Sequence, residues 1–359
     1  MPQRYVEEAP HLETHPDGHP HWRIAGDWKM AAGFYAVAGW KEHPPSTPDE
    51  LEDVDPGAWR SEERLKRMDE YGIYAQVLYP NLIGFETTSF MKLGPELSLI
   101  CTRAYNDFIS DFSAADPSRL IPIAMLPFWD IDASVEEMHR CAAKGHRGIL
   151  FANRYELVGL PSFVNPHWDR IYAAAQDLDL SVNFHVGFSS SMDGAAKGMT
   201  ALLSAFDARV AARGTALGLL SNADTIATII TSGICDRYPR LNFVSVESGF
   251  GFIPYLLESL DWHWTGYGAK SELLPSEYFL RQCYGSFWFE RTTLPLLESY
   301  PNNFMFETDY PHPTSMSPGP ASPAELPKVH IEHAFADIAP DVARKALHDN
   351  AARVYHLEG

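Results

Sequence analysis

Beyond residue 60 the chain alternates short, mostly apolar runs with longer amphipathic segments, and this alternation limits the fold more than any other feature. The short runs cover 75–79, 120–126, 148–151, 181–186, 241–246, 283–289 and 303–306. Runs of this length, rich in β-branched and aromatic residues, read as strands buried on both faces. Strand and helix in alternation specify a parallel sheet covered by helices. The expected class is α/β, a (β/α)8-type TIM barrel. Seven strand candidates are present where a closed barrel takes eight. The order of elements asks for the missing strand before Ser61, so the expectation is a barrel lacking its first strand. A doubly wound open sheet is the alternative, but no Gly-rich phosphate loop follows an early strand.

Between the strands, helices are expected over 61–71, 96–114, 132–144, 166–177, 222–235, 253–262 and 293–300, with one amphipathic helix over 340–356. Ser61 suits an N-cap, while Gly72 and Gly145 suit helix stops. Residues 1–60 differ in character, being rich in Pro, His, Gly and acids. They read as an irregular or hairpin insertion packed on a barrel domain over 61–359, with apolar runs at 21–25 and 33–40 as the hairpin strands.

Charge excludes one class of partner. Asp and Glu number 47 against 28 Lys and Arg, a formal net charge of −19. Such a surface repels phosphate backbones, so no nucleic-acid partner is expected. The hydrophobic share, 45%, supplies a large core, yet no apolar stretch approaches the length of a membrane span. The N-terminus shows no apolar signal region. Cys101, Cys141, Cys235 and Cys283 lie far apart with no CxxC pair, which fits buried thiols in a reducing, cytoplasmic setting. A homodimer is expected on general frequency.

Chemistry gathers at strand ends, because the loops after the strands of a parallel barrel converge there. His185 ends the run Ser181-Val182-Asn183-Phe184-His185. Glu247 follows Phe243-Val244-Ser245-Val246, and Asp309 follows Phe304-Met305-Phe306-Glu307-Thr308. An imidazole and two carboxylates suit a divalent metal. Singly, each has a plainer reading: a hydrogen-bonding core His, a charge at a helix start, a turn Asp. Their common position at strand ends strengthens the joint reading. Gly187-Phe188-Ser189 and Ser248-Gly249 do not form a Gly-x-Ser-x-Gly elbow, which argues against serine-hydrolase chemistry.

Three segments carry a resemblance. Glu307-Thr308-Asp309-Tyr310-Pro311-His312 resembles the last-strand motif of the amidohydrolase-2 family, whose members include aminocarboxymuconate-semialdehyde decarboxylase and the resorcylate- and carboxyvanillate-type decarboxylases. Phe184-His185-Val186-Gly187 resembles its fifth-strand motif, and Val246-Glu247-Ser248-Gly249-Phe250-Gly251 its sixth-strand segment. The resemblance covers roughly residues 60–357. It implies that His185 and Asp309 ligate a divalent metal, zinc or manganese, and that Asp309 takes a proton from water in hydrolytic members. Many members carry a catalytic His where this chain has Glu247, so Glu247 inherits an acid–base or ligand role. Arg154 and His312 are candidates for holding an acidic substrate group, with Tyr79 and Phe289 lining the pocket.

The family's first strand adds two ligands in a His-x-His or Glu-x-His pattern. His19-Pro20-His21 has those letters, but Gly18 and Pro20 disfavour a buried strand, and the segment reads as loop or hairpin. The expectation is a site completed by a strand outside this sequence and a weakly held metal. Three functions are weighed. The leading one is nonoxidative decarboxylation of an aromatic or unsaturated carboxylic acid. The second is metal-dependent hydrolysis of an amide, lactone or C–C bond. The third is a metal-free binding protein on the same scaffold.

Overall fold

A computed structural model describes residues 3–80, 91–186 and 207–357. The chain divides into two compact units. One comprises residues 1–146, 199–208 and 308–333; the other comprises 147–198, 209–307 and 334–359.

The first unit opens with a three-stranded antiparallel sheet, β1 (His11–Thr14), β2 (Pro20–Ile24) and β3 (Asp27–Ala31). The hairpin expected around residue 21 is present, but its partner is β3 rather than 33–40. The cause is local. Ala25 and Gly26 both take positive φ, 52° and 78°, so the chain reverses in two residues and pairs Ile24 directly with Asp27. Ala32–Tyr35 is instead a short 3-10 turn.

Helix α1 (Ser61–Tyr71) ends at Gly72 in the left-handed region, as the sequence suggested. Ser61 does not cap it: Arg60 occupies the cap position without a side-chain bond, and Glu62 and Glu63 complement the helix dipole in the first turn. Strand β4 (Gln76–Leu78) pairs in parallel with β5 (Leu120–Ala124), matching Gln76 with Leu120. Helix α2 (Pro95–Ser113) joins them, and α3 (Ile131–Ala143) follows, capped by the Asp130 side chain. Met68, Leu78, Ile109 and Leu120 form the core between α1, α2 and this pair. The apolar positions of both helices fall on one face, which is why they cover the strands.

The second unit holds five parallel strands in sequence order: β6 (Gly148–Leu150), β7 (Ser181–His185), β8 (Phe243–Val246), β9 (Cys283–Phe287) and β10 (Phe304–Phe306). All seven expected strands are therefore present, each trimmed by one or more residues. Their helices are α4 (Asp169–Asp177), α5 (Ala208–Leu219), α6 (Asn222–Thr231), α7 (Ile234–Arg237), α8 (Ile253–Gly266) and α9 (Pro275–Gln282). The helix expected over 222–235 is broken into α6 and α7 by Gly233 at φ 77°. The tail helix is interrupted by a π turn over Lys345–Asp349. Helices α5, α9 and Pro327–Ala334 were not anticipated. Two internal glycines in α5 and the short length of the others mask their periodicity.

The core of this unit is aromatic. Phe151 packs edge-on against Trp168, Tyr172 and Phe184, with ring centroids 5.3, 5.5 and 6.1 Å away. Asn183 is fully buried on β7, yet satisfied: its amide donates to the Ile149 carbonyl at 3.2 Å, and the Tyr355 hydroxyl donates to its oxygen at 2.9 Å. All four cysteines are buried free thiols. Among the described residues no helix is long and apolar enough to cross a membrane.

Candidate active site

In the second unit, β7 is buried until its last residue, His185, which is partly exposed. The ring Nδ1 lies 2.8 Å from the Val186 carbonyl. A carbonyl can only accept, so this contact places a proton on Nδ1 and turns Nε2 outward from it. That nitrogen lies 3.4 Å from Glu247 Oε2, and the side chains are only 12% and 6% exposed. An imidazole fixed through one nitrogen by a backbone carbonyl is the usual preparation of a metal ligand.

Glu247 follows β8 with φ 54°, in the left-handed region. For a non-glycine residue this conformation is costly, and such strain concentrates at functional positions. Two neighbours hold it. The Glu247 N–H donates to Ser286 Oγ on β9 at 2.9 Å. Asn222, fully buried at the start of α6, donates to the Phe184 carbonyl at 2.9 Å and to the Val246 carbonyl at 3.4 Å. It therefore ties the ends of β7 and β8 together behind the pair. Gly249, also at positive φ, turns the chain past Glu290, where a Cβ would stand 2.6 Å from Glu290 Oε1. Burial pushes the Glu290 carboxyl up, against hydrogen bonds from the backbone of Trp288, Glu290 and Phe250.

In the first unit, Asp309 also has positive φ, 49°. Its carboxylate accepts from the Thr314 hydroxyl and lies 3.4 Å from His312 Nδ1. The His312 N–H donates to the Asp309 carbonyl at 2.9 Å, closing a turn. This turn is anchored from a distance in sequence. The Tyr310 hydroxyl donates to Asp55 at 2.7 Å, and the Arg64 guanidinium lies 4.5 Å from the Tyr310 ring centroid. Arg64 also donates to the Gly57 carbonyl at 2.6 Å and to Gln76 at 3.2 Å, and Gln76 donates to Thr308 at 3.2 Å. Burial pushes the Arg64 guanidinium down to about 10, opposed by Tyr310 and Asp55, so it remains charged at neutral pH. A Cβ at Gly57 would stand 2.6 Å from the Tyr310 hydroxyl, so glycine is needed there.

The structure thus brings His185 together with Glu247, and Asp309 together with His312. Arg154 lies half-buried just after β6, opening the 3-10 turn Tyr155–Val158. Tyr79 is half-buried after β4, whereas Phe289 is 53% exposed and packs edge-on to Trp288. Gly187 and the residues after it in the fifth-strand motif lie outside the described residues. His19 and His21 belong to the N-terminal hairpin and its loop, as read from Gly18 and Pro20. Asn222, Ser286, Asp55, Arg64 and Tyr310 escaped the sequence reading as supporting residues. An Asn opening a helix and the pair Gly285-Ser286 within a strand were the only signals for the first two. Each pair offers donors suited to a divalent cation: an imidazole nitrogen and a carboxylate oxygen.

Parallel strands alternating with helices fit a (β/α)-barrel type of fold, and comparison with known proteins gives the kind of protein. The chain belongs to the amidohydrolase family, whose model matches residues 17–357, and is an enzyme of the carboxy-lyase or hydrolase kind. A gamma-resorcylate decarboxylase of Rhizobium sp. (strain MTP-10005) is 27% identical over 305 residues, covering 81% of this chain and 86% of the relative. Among solved structures, an amidohydrolase from Mycobacterium avium subsp. paratuberculosis K-10 matches with TM-score 0.75 at 19% identity, over 99% of this chain and 94% of that one. A dihydroxybenzoic acid decarboxylase from Polaromonas sp. JS666, solved with bound manganese and the inhibitor 2-nitroresorcinol, matches with TM-score 0.60 at 21% identity, over 82% and 86%.

Proposed function

We propose that this chain is a metal-dependent decarboxylase that removes carbon dioxide, without oxidation, from an aromatic or unsaturated carboxylic acid. One observation carries lyase over hydrolase: the curated relatives matched over 81% of the chain are gamma-resorcylate decarboxylases. His185 and Asp309 serve as metal ligands, His185 through Nε2, since its Nδ1 is engaged by the Val186 carbonyl. A zinc or manganese ion, when bound, supplies positive charge for the substrate carboxylate and a neighbouring oxygen.

The protein's own groups do the rest. Arg154 and His312 hold the anionic part of the substrate. Glu247 carries the proton that the ring carbon accepts as the C–C bond breaks. Atoms balance: a carboxylate and one proton give the decarboxylated product and carbon dioxide. Glu247 is buried and sits against His185, a setting suited to delivering a proton away from bulk water.

The replacement of the family's His by Glu247 favours a second reading. In it Asp309 takes a proton from water, and an amide, lactone or C–C bond is hydrolysed. The metal-reconstituted enzyme, assayed for carbon dioxide release across a panel of hydroxybenzoates, separates the two. Release from at least one dihydroxybenzoate is expected. Cleavage of an amide or lactone with no carbon dioxide from any benzoate would establish the hydrolase. Purified chain that holds no metal and turns over neither class would overturn both. Cytoplasmic location and a homodimer complete the proposal; sedimentation of the purified chain tests the second.

A further inference from the structure

The loop between β1 and β2 carries an arrangement with no place in the proposed reaction. It is closed by backbone bonds, His15 N–H to the His19 carbonyl and Gly18 N–H to the His15 carbonyl, each at 2.9 Å. The His19 N–H donates to Asp17 Oδ1 at 3.0 Å, which turns Oδ2 toward two imidazoles. That one oxygen lies 3.0 Å from His15 Nδ1 and 3.0 Å from His21 Nε2. All three ligand atoms lie within 4.8 Å of one another.

The proton inventory is what singles the cluster out. His21 Nδ1 lies 2.7 Å from the Lys29 carbonyl, on the neighbouring strand. Since a carbonyl only accepts, Nδ1 carries a proton, and Nε2 is the nitrogen turned toward the carboxylate. At 3.0 Å a proton or a cation is shared between that nitrogen and the carboxylate oxygen. His15 repeats the arrangement: its Nδ1 faces the same oxygen at 3.0 Å and lies 3.3 Å from the Asp17 N–H. The rings are held for the purpose. They stack with centroids 4.4 Å apart, and Trp28 meets both edge-on, with the Arg23 guanidinium 4.3 Å from its ring centroid. Burial works against the Asp17 charge, but the His19 N–H, His15 and His21 hold the carboxyl down at about 2, so it is anionic under all ordinary conditions. His19 takes no part; its Nδ1 turns to Asp49 at 2.6 Å.

We propose that His15, Asp17 and His21 form a divalent-cation site of the zinc type on the N-terminal hairpin, separate from the residues assigned to catalysis. Two imidazoles and one carboxylate are a zinc donor set, with a fourth position left to water. Ligand atoms about 2.0–2.1 Å from a tetrahedral zinc lie roughly 3.3 Å apart, so small side-chain rotations convert the observed spacing. The Lys29 carbonyl is the outer partner that fixes the His21 tautomer. Side-chain exposures of 30%, 44% and 13% let a cation enter without opening the fold.

The test reads individual histidines, so it stands apart from turnover and from any catalytic metal. The full-length chain is treated with diethyl pyrocarbonate with and without zinc chloride, and modification is mapped by peptide mass. Micromolar zinc is expected to slow modification of His15 and His21 at least tenfold, leaving exposed His333 unchanged. Asp17→Asn should abolish that protection, and His15→Gln should weaken it at His21. A hairpin disrupted by either substitution would show as faster His19 modification without zinc, in which case the wild-type comparison decides alone. Equal rates for wild-type His15 and His21 with and without zinc would overturn the site.

Discussion

Glu247 and Asp309 make an instructive pair. Each follows a strand, and each has a left-handed backbone, at φ 54° and 49°. That conformation costs on the order of 1–3 kcal/mol per residue, which the surroundings must offset. The surroundings differ in kind. Glu247 is held by the sheet itself, through Ser286 on the next strand and the Asn222 amide across two strand ends. Asp309 is held by side chains gathered from far along the chain, with Tyr310 locked by Asp55 and Arg64. The first kind of support follows from strand register. The second depends on a network that must be complete to work.

The largest effects are expected at the two proposed metal ligands. His185→Ala and Asp309→Asn should each lower kcat/KM by about 4 kcal/mol, roughly a thousandfold, with the fold intact. Near-wild-type turnover in either, alongside an unchanged thermal midpoint, would remove that residue from the site.

Supports come next. Gly57→Ala pushes a methyl against the Tyr310 hydroxyl and should cost about 1–3 kcal/mol of stability. Activity should fall with it, because the Asp309 turn moves; denaturant unfolding and kcat measured together check the link. Ser286→Ala leaves the buried Glu247 N–H without its acceptor, a loss of about 1–2 kcal/mol. If stability drops for Gly57→Ala alone, the sheet-held carboxylate needs no such support, and the contrast drawn above is wrong.

A smaller effect separates backbone strain from chemistry. Both Glu247→Ala and Glu247→Gly should be inactive, yet the glycine variant should be the more stable by about 1 kcal/mol, because only it accepts the positive φ freely. Equal stabilities would mean that the turn relaxes. The least effect concerns Glu290. Its folded-state pKa is raised above the ordinary 4.5 by burial, so the folded state holds the proton more tightly than the unfolded chain. The stability this provides is full below the ordinary value and is lost as pH rises through the folded value. Glu290→Gln should therefore be more stable than wild type at neutral pH, with the gap closing toward acid. Thermal midpoints across that range that run parallel would show that Glu290 does not titrate there.

The same contrast explains what the sequence revealed. Short, mostly apolar runs placed all seven parallel strands, because burial on both faces favours apolar residues and admits only polar ones with partners, such as Asn183. Positions His185, Glu247 and Asp309 followed from strand ends alone. Asp55, Arg64 and Tyr310 did not, since a contact between residues 55 and 310 leaves no local pattern. The N-terminal hairpin was half legible. Proline and glycine marked its loop, but the two-residue turn at Ala25-Gly26 needs a positive φ at alanine, which composition does not announce. The break between α6 and α7 rests on one glycine in an otherwise continuous helical pattern.

Asn222 has a consequence beyond stability. Its amide spans the carbonyls that end β7 and β8, so the gap between His185 and Glu247 is an internal coordinate of the sheet. Segments beyond the strand ends can then change in length or composition without altering that gap. What lies beyond the strand ends and how far apart these two side chains stand become separately adjustable properties of the scaffold.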